Sequence, residues 1–217
     1  MAVTLVLGAS RGLGFALVEA YAAQGRSVVA TVRSEADRER VEATGAKVLL
    51  VDVADPASVS GLAWQLDGEK LDVALYVAGV MDRAGATTPP TQQAFDHVMH
   101  TNVLGLMQVI PQVMPMVEEA GGVLGVLSSS MSQIASVPGS NAWLYRVSKA
   151  ALNMAVASAR FDYPRARLVA LDPGWVQTDM GGAAAPVALS DSVSVLRAAL
   201  ASVGPSDNGQ LVHFDGR

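Results

Sequence analysis

The 217-residue chain contains no cysteine, only three histidines and 5% aromatic residues. Without a thiol there can be no disulfide, no thiolate nucleophile and no cysteine-ligated metal, although the redox compartment stays open. His97 and His100 stand three positions apart with Asp96 as their only neighbouring carboxylate, too few ligands for a metal centre. Charge is scarce as well, at 16%, and 15 basic against 20 acidic residues leave a net charge of −5. No basic run and no interleaving of basic with aromatic residues occurs, which argues against a nucleic-acid partner. Apolar runs fall short of the roughly 20 residues that span a bilayer. No charged leader precedes the first strand-like residues at Val3, so no membrane partner and a cytoplasmic location are expected.

What the chain does have is 51% hydrophobic content, laid out in short runs. Val3–Leu7, Val28–Val32, Val48–Val51, Val73–Val77, Val123–Leu127, Arg167–Leu171 and Leu211–Phe214 read as strands. Leu13–Ala23, Glu35–Ala43, Ala57–Gln65, Ala94–Glu119, Leu144–Ala159 and Ser190–Ser202 read as helices. Continuous apolar runs are the mark of strands covered on both faces. Their alternation with helices predicts a single α/β domain over residues 1–217, a Rossmann-type, doubly wound parallel sheet of about seven strands. Glycine and proline cluster at 79–90, 136–141 and 181–186, the expected loops, and Pro111 and Pro115 are expected to kink the second half of the helix that carries them.

Directly after the first strand comes Gly8-Ala9-Ser10-Arg11-Gly12-Leu13-Gly14. A strand that passes through a glycine-rich turn into a helix aims free N–H groups and the positive helix end at one spot, which suits pyrophosphate. Gly8 permits the sharp turn, while Gly12 and Gly14 let a cofactor and the strand come closer than a Cβ would allow. The spacing G-x-x-x-G-x-G differs from the usual dinucleotide fingerprint. An NAD site carries an acidic residue about 20 positions after the glycines, where it accepts the ribose 2′-OH. Here Thr31-Val32-Arg33-Ser34 fills that window. Arg33 and Arg11 suit a 2′-phosphate instead, so NADP(H) is favoured over NAD(H).

Further along, Tyr145-Arg146-Val147-Ser148-Lys149 follows a serine-rich strand end and precedes Ala150-Ala151-Leu152-Asn153-Met154. Ala78-Gly79 closes the fourth strand, and Asn102 lies in Thr101-Asn102-Val103-Leu104-Gly105. The sixth strand runs into Asp172-Pro173-Gly174-Trp175-Val176-Gln177-Thr178-Asp179-Met180. In order and spacing these segments make the chain resemble the short-chain dehydrogenase/reductase family over nearly its whole length, most of all the sniffer-type carbonyl reductases and C-factor-like proteins. Two departures stand out. The family's N-N-A-G reads Tyr76-Val77-Ala78-Gly79, so the fourth strand must be braced differently, and the threonine often found before the first glycine is Leu7.

The resemblance implies an NADP(H)-dependent oxidoreductase that interconverts a carbonyl and an alcohol on a small organic substrate, with Asn102, Ser129, Tyr145 and Lys149 as catalytic residues. Tyr145 would be the general acid and base. Moving a phenol from its ordinary pKa near 10 to about 7 takes roughly 4 kcal/mol of phenolate stabilisation. Lys149, at i+4 on the same helix face, is expected beside the phenol oxygen, and by resemblance it also holds the ribose hydroxyls. Asn102 would hold a relay water on its main-chain carbonyl. Ser128, Ser129, Ser130 and Ser132 crowd the fifth strand end; aligning the strand selects Ser129 to orient the substrate carbonyl, with Ser130 next. Cofactor contacts are expected from Gly8, Ser10, Arg11, Gly12, Leu13, Gly14 and Arg33, from Asp52 and Val53 at the adenine, and from Ala78, Gly79, Tyr145 and Lys149. Pro173, Gly174, Val176 and Thr178 would surround the nicotinamide. The competing class is a non-catalytic nucleotide sensor or signalling protein on the same fold, which commonly lacks the tyrosine or lysine kept here. Sugar-nucleotide epimerisation or dehydration would need a larger C-terminal part than follows Met180. Met99, Met107, Met114 and Met116 suit a core or a subunit interface, and the resemblance implies a homo-oligomer, a dimer or tetramer, paired through this helix and the tyrosine helix.

Overall fold

The computed structural model describes residues 2–213. Seven strands form one sheet in the order β3-β2-β1-β4-β5-β6-β7: β1 Val3–Leu7, β2 Ser27–Val32, β3 Lys47–Leu50, β4 Leu71–Tyr76, β5 Val123–Leu127, β6 Arg167–Asp172 and β7 Leu211–His213. All neighbours pair in parallel. Phe214, expected to end the last strand, lies outside the described residues. The helices are α1 Gly12–Ala22, α2 Glu35–Glu42, α3 Pro56–Ser60, α4 Leu62–Gln65, α5 Gln92–Met99, α6 Gly105–Ala120, α7 Trp143–Ala159 and α8 Leu189–Ser202.

Alternate strand side chains feed two cores. Leu5, Leu7, Tyr76, Leu124 and Val126 pack with Leu106, Val113 and Met114 of α6 and with Leu152 and Val156 of α7. On the other face Val6, Leu75, Val123 and Leu127 meet Leu17 and Val18 of α1 and Val193, Leu196 and Leu200 of α8. A fully buried leucine contributes about 1.5–3 kcal/mol, so both layers are held by apolar burial, and strands covered on both sides need no polar alternation.

Two segments expected as continuous helices are interrupted. Residues 57–65 divide at Gly61 between α3 and α4. The segment 94–119 contains a π turn at His100–Leu104 before α6 begins. The cause sits at Gly105, where a Cβ would lie 2.5 Å from the Val53 carbonyl oxygen and 2.7 Å from the Tyr76 hydroxyl. The helix passes there against the main chain of the loop between β3 and α3 and against the Tyr76 side chain, and a π turn takes up the extra residue. The interruption therefore lies upstream of the prolines, and α6 continues through Pro111 and Pro115, both on its exposed side.

From β1 the chain lays down β2 and β3 on one side, then starts again with β4 on the other. That reversal opens a crevice beyond the carboxyl ends of β1 and β4, where ligands bind in open α/β sheets.

Candidate active site

The turn after β1 is shaped by close approach. Gly8 has φ +92, and a Cβ on it would lie 2.7 Å from the Ala78 nitrogen. A Cβ on Gly14 would lie 2.1 Å from the Gly8 carbonyl oxygen, so α1 packs on the turn only because position 14 is bare. The Gly8 N–H donates to the Thr31 hydroxyl at 3.0 Å, and the Ala9 N–H to the Thr31 carbonyl at 2.8 Å.

Beyond this turn lies an open cleft. Its wall includes Gly8, Ser10, Arg11, Gly12, Leu13, Gly14, Arg33, Val53, Ala78, Gly79, Tyr145, Lys149, Pro173 and Thr178, together with Ser128, one of the four serines weighed for the substrate, and with Thr101 and Met180, which sequence reasoning did not single out. Asp52, Asn102, Ser129, Gly174 and Val176 are not on that wall. Asp52 instead accepts the Ala54 N–H at 3.0 Å, forming the turn beside Val53. Gly174, at φ +78, donates its N–H to Asp172 at 3.2 Å. Val176 is buried and bridges to Val187.

Three arginines lie on or beside the end of the cleft at the glycine-rich turn. Arg33 is exposed on the wall and, among the described residues, makes no ion pair. Arg11 pairs with Asp179 at 3.1 Å, both side chains being largely exposed. Arg40 of α2, missed in the sequence, donates to the Ser10 carbonyl and lies over the Phe15 ring. Nothing in its charged helix distinguished it beforehand.

The other end of the cleft is built on α7. Ala142 enters this helix at φ +52, in the left-handed region that alanine seldom adopts, with its N–H and that of Trp143 held by the carbonyls of Arg83 and Ala84. Tyr145 and Lys149 follow on one face, both buried. Burial pushes the Tyr145 phenol up to about 12, against the opposing effect of a hydrogen bond with Ser129, while the Asp172 carboxylate adds to the rise. Burial pushes the Lys149 ammonium down to about 8. Its Nζ donates to the Leu127 carbonyl at 2.6 Å and stands 5.6 Å from the Tyr145 ring centroid. Among the described residues no hydrogen bond joins it to the phenol: a desolvated cation takes the strong acceptor within reach, here the carbonyl ending β5.

The four serines divide by partner. Ser128 is buried and donates to Asn153 at 2.6 Å. Ser132 donates to the Ser129 carbonyl at 2.6 Å and accepts from Asn153 at 2.8 Å. Ser130 is exposed. The Ser129 hydroxyl interacts with Tyr145 and accepts the Met131 N–H at 3.1 Å.

Asn102 lies fully buried in the π turn. Its side chain accepts the Val80 N–H, donates to the Val80 carbonyl and donates to Ser148, each at 2.9 Å. Ser148 in turn donates to the Tyr145 carbonyl at 2.8 Å. β4 is braced beside it: Tyr76, fully buried, donates its hydroxyl to the Thr101 carbonyl at 2.6 Å. A pair not foreseen is His213 of β7, whose Nδ1 lies 3.2 Å from Asp172 and whose Nε2 lies 2.9 Å from the Gln133 amide. Among the described residues no cluster of three histidines or carboxylates gathers as a metal site would, and no helix is long and apolar enough to cross a membrane.

A family model described as enoyl-(acyl carrier protein) reductase matches residues 8–214. The structure of a short-chain dehydrogenase/reductase from Burkholderia multivorans with bound NADP superimposes with a TM-score of 0.87 at 28% identity, covering 100% of this chain and 97% of that one. The chain belongs to the short-chain dehydrogenase/reductase family. Its membership makes it an oxidoreductase. The carbonyl reductase Sniffer of D. melanogaster is similar at a TM-score of 0.90 and 26% identity, over 99% of this chain and 97% of that one. C-signal of Myxococcus xanthus is 36% identical over 119 residues, 53% of this chain and 71% of that protein.

Proposed function

We propose that this short-chain dehydrogenase/reductase is an NADP(H)-dependent enzyme that interconverts a carbonyl and an alcohol on a small organic molecule, as one domain over residues 1–217. One observation carries the reading: Tyr145, Lys149 and Ser129 converge at the carboxyl end of β5, next to a cleft whose far end is lined by bare glycines.

A dinucleotide fits that cleft. Gly8, Gly12 and Gly14 leave a cradle that side chains would fill, and Ser10, Arg11 and Leu13 flank it. Arg33, unpaired among the described residues, and Arg11 would hold a 2′-phosphate, a charge-assisted contact matched to guanidinium geometry. Asp52 and Val53 would meet the adenine, Ala78, Gly79, Pro173, Gly174, Val176 and Thr178 the nicotinamide half, and Lys149 the ribose. When bound, the cofactor supplies or accepts the hydride at the substrate carbon.

In the reducing direction the Ser129 hydroxyl hydrogen-bonds the substrate oxygen, and Tyr145 passes it the phenolic proton, leaving a phenolate. Bringing that phenol from about 12 to near neutrality corresponds to about 7 kcal/mol of phenolate stabilisation. The chain's own source is Lys149, whose pKa near 8 keeps it mostly charged at pH 7. Asn102 holds the π turn against Val80 and Ser148 and would offer its carbonyl to a relay water. In alcohol oxidation the phenolate takes the proton back.

The reading includes a homo-oligomer, a dimer or tetramer. It is supported by an apolar groove between α6 and α7, lined by Val103, Met107, Ile110, Ala151 and Met154, in which Met107 and Met154 are 55% and 67% exposed. A cytoplasmic location completes it. The test is NADPH oxidation over a panel of aldehydes, ketones and quinones, with Tyr145→Phe alongside. Turnover should fall at least about 100-fold in the variant with NADPH affinity unchanged; parent-like turnover in Tyr145→Phe excludes the mechanism.

A further inference from the structure

Asn153 lies on the same face of α7 as Tyr145 and Lys149, two turns beyond the tyrosine, and none of the roles above uses it. Its amide is engaged at both ends. The oxygen accepts from Ser128 at 2.6 Å, and the nitrogen donates to Ser132 at 2.8 Å. Ser132 passes the connection on, donating to the main-chain oxygen of Ser129 at 2.6 Å. The residue before Ser129 and the turn after it are therefore both tied to the helix that carries Tyr145. The Ser128 N–H, donating to the Leu171 carbonyl at 2.7 Å, makes the last bond of this strand end to β6. Past that point, Ser129 takes its position from its neighbours.

We propose that Asn153 is a positioning residue that sets the separation of the Ser129 hydroxyl from the Tyr145 phenol. The inference rests on the roles proposed above for those two residues. An α-helix is a stiff ruler rising 1.5 Å per residue, so a side chain anchored on it fixes a loop relative to another side chain on the same face. The chemistry demands an amide. One contact uses an acceptor and the other a donor, and a carboxamide presents both from one planar group. The same two bonds occupy the hydroxyls of Ser128 and Ser132, whereas the Ser129 hydroxyl, which accepts the Met131 N–H, meets Tyr145.

The experiment is a double-mutant cycle on the full chain, using Asn153→Ala, Ser129→Ala and the pair combined. Steady-state kinetics on a ketone that the parent reduces would be paired with NADPH fluorescence titration. Asn153→Ala should lower kcat tenfold or more while NADPH affinity stays within about twofold, and in the Ser129→Ala background it should add less than about twofold, because it acts through that hydroxyl. Asn153→Asp, which keeps the acceptor and loses the donor, should fall between parent and Asn153→Ala. If Asn153→Ala does not fold, Ser132→Ala removes one leg from the other side and should be equally silent in the Ser129→Ala background. Losses that multiply in the combined variant, or kcat and cofactor affinity falling together, overturn the proposal. A severe Ser129→Ala with a silent Asn153→Ala refutes the positioning role alone, whereas a silent Ser129→Ala refutes the reading of the site on which it rests.

Discussion

Replacing Tyr76 by phenylalanine deletes one oxygen atom from the middle of the molecule. Tyr76 is completely buried, and its hydroxyl donates to the Thr101 carbonyl at 2.6 Å. The ring stays in place, so apolar burial hardly changes, and the loss is confined to the bond. It lies between about 1 kcal/mol, for a hydrogen bond whose acceptor finds another partner, and about 3 kcal/mol, for an acceptor left stranded. At about 2–4 °C per kcal/mol for a protein of this size, Tm should fall by at least about 2 °C and at most about 12 °C. Thr101 precedes Asn102 in the π turn that reaches Val80 and Ser148, so kcat should fall several-fold with NADPH affinity retained. Urea unfolding, with the m-value unchanged, gives the stability loss, and steady-state kinetics gives the second quantity. A Tm within about 1 °C of the parent would refute the bracing role, and a large loss of stability with unaltered kcat would disconnect that brace from the site.

Arg33→Asp bears on cofactor choice: the parent should bind NADPH at least about tenfold more tightly than NADH, and the variant should erase or invert that preference, because a carboxylate repels the 2′-phosphate and offers the ribose an acceptor. Equal dissociation constants in the parent would sink the assignment. Lys149 predicts a pH dependence of stability. Its folded pKa, near 8, lies below the unfolded value of 10.5, so the charged form is penalised in the folded state. That penalty, about 3 kcal/mol, is fully present below pH 8 and is relieved as the pH rises toward 10.5. Denaturation at pH 7.5 and pH 10 should therefore show the parent gaining stability relative to Lys149→Met, and parallel curves would contradict the burial argument.

The fold was legible because a sheet covered on both faces writes its strands as unbroken apolar runs. β4 begins at Leu71, earlier than expected, since Asp72 interrupts the run; its carboxylate is used, accepting the Val3 N–H at 2.7 Å and lying 3.8 Å from Arg26. The π turn left no compositional trace, because one added residue in a helix scarcely alters apolar spacing, and only the Gly105 contact with Tyr76 and Val53 reveals its cause. At the site, local spacing placed Tyr145 and Lys149 on one face but could not show that the ammonium turns to Leu127. The serines were ranked by strand register, whereas what separates them physically is Asn153, 25 residues from Ser128. Arg40 and His213 were invisible for a similar reason: their partners, Ser10 and Asp172, come from distant segments of the chain.

Arg11 and Arg83 come from two separate loops, and both fasten the stretch that follows β6, Arg11 through Asp179 and Arg83 through the Met180 carbonyl. A ligand entering the cleft from that side meets a clasp. Exposed ion pairs of this kind are worth about 0.2–1 kcal/mol, so opening the Arg11–Asp179 half slows entry by no more than about fivefold at 25 °C. Salt should loosen it further. That half of the clasp is thus too weak to govern turnover, yet its arginine also lines the cleft. A ligand phosphate and Asp179 would then compete for one guanidinium, and a phosphate that won it would leave the segment after β6 held by Arg83 alone.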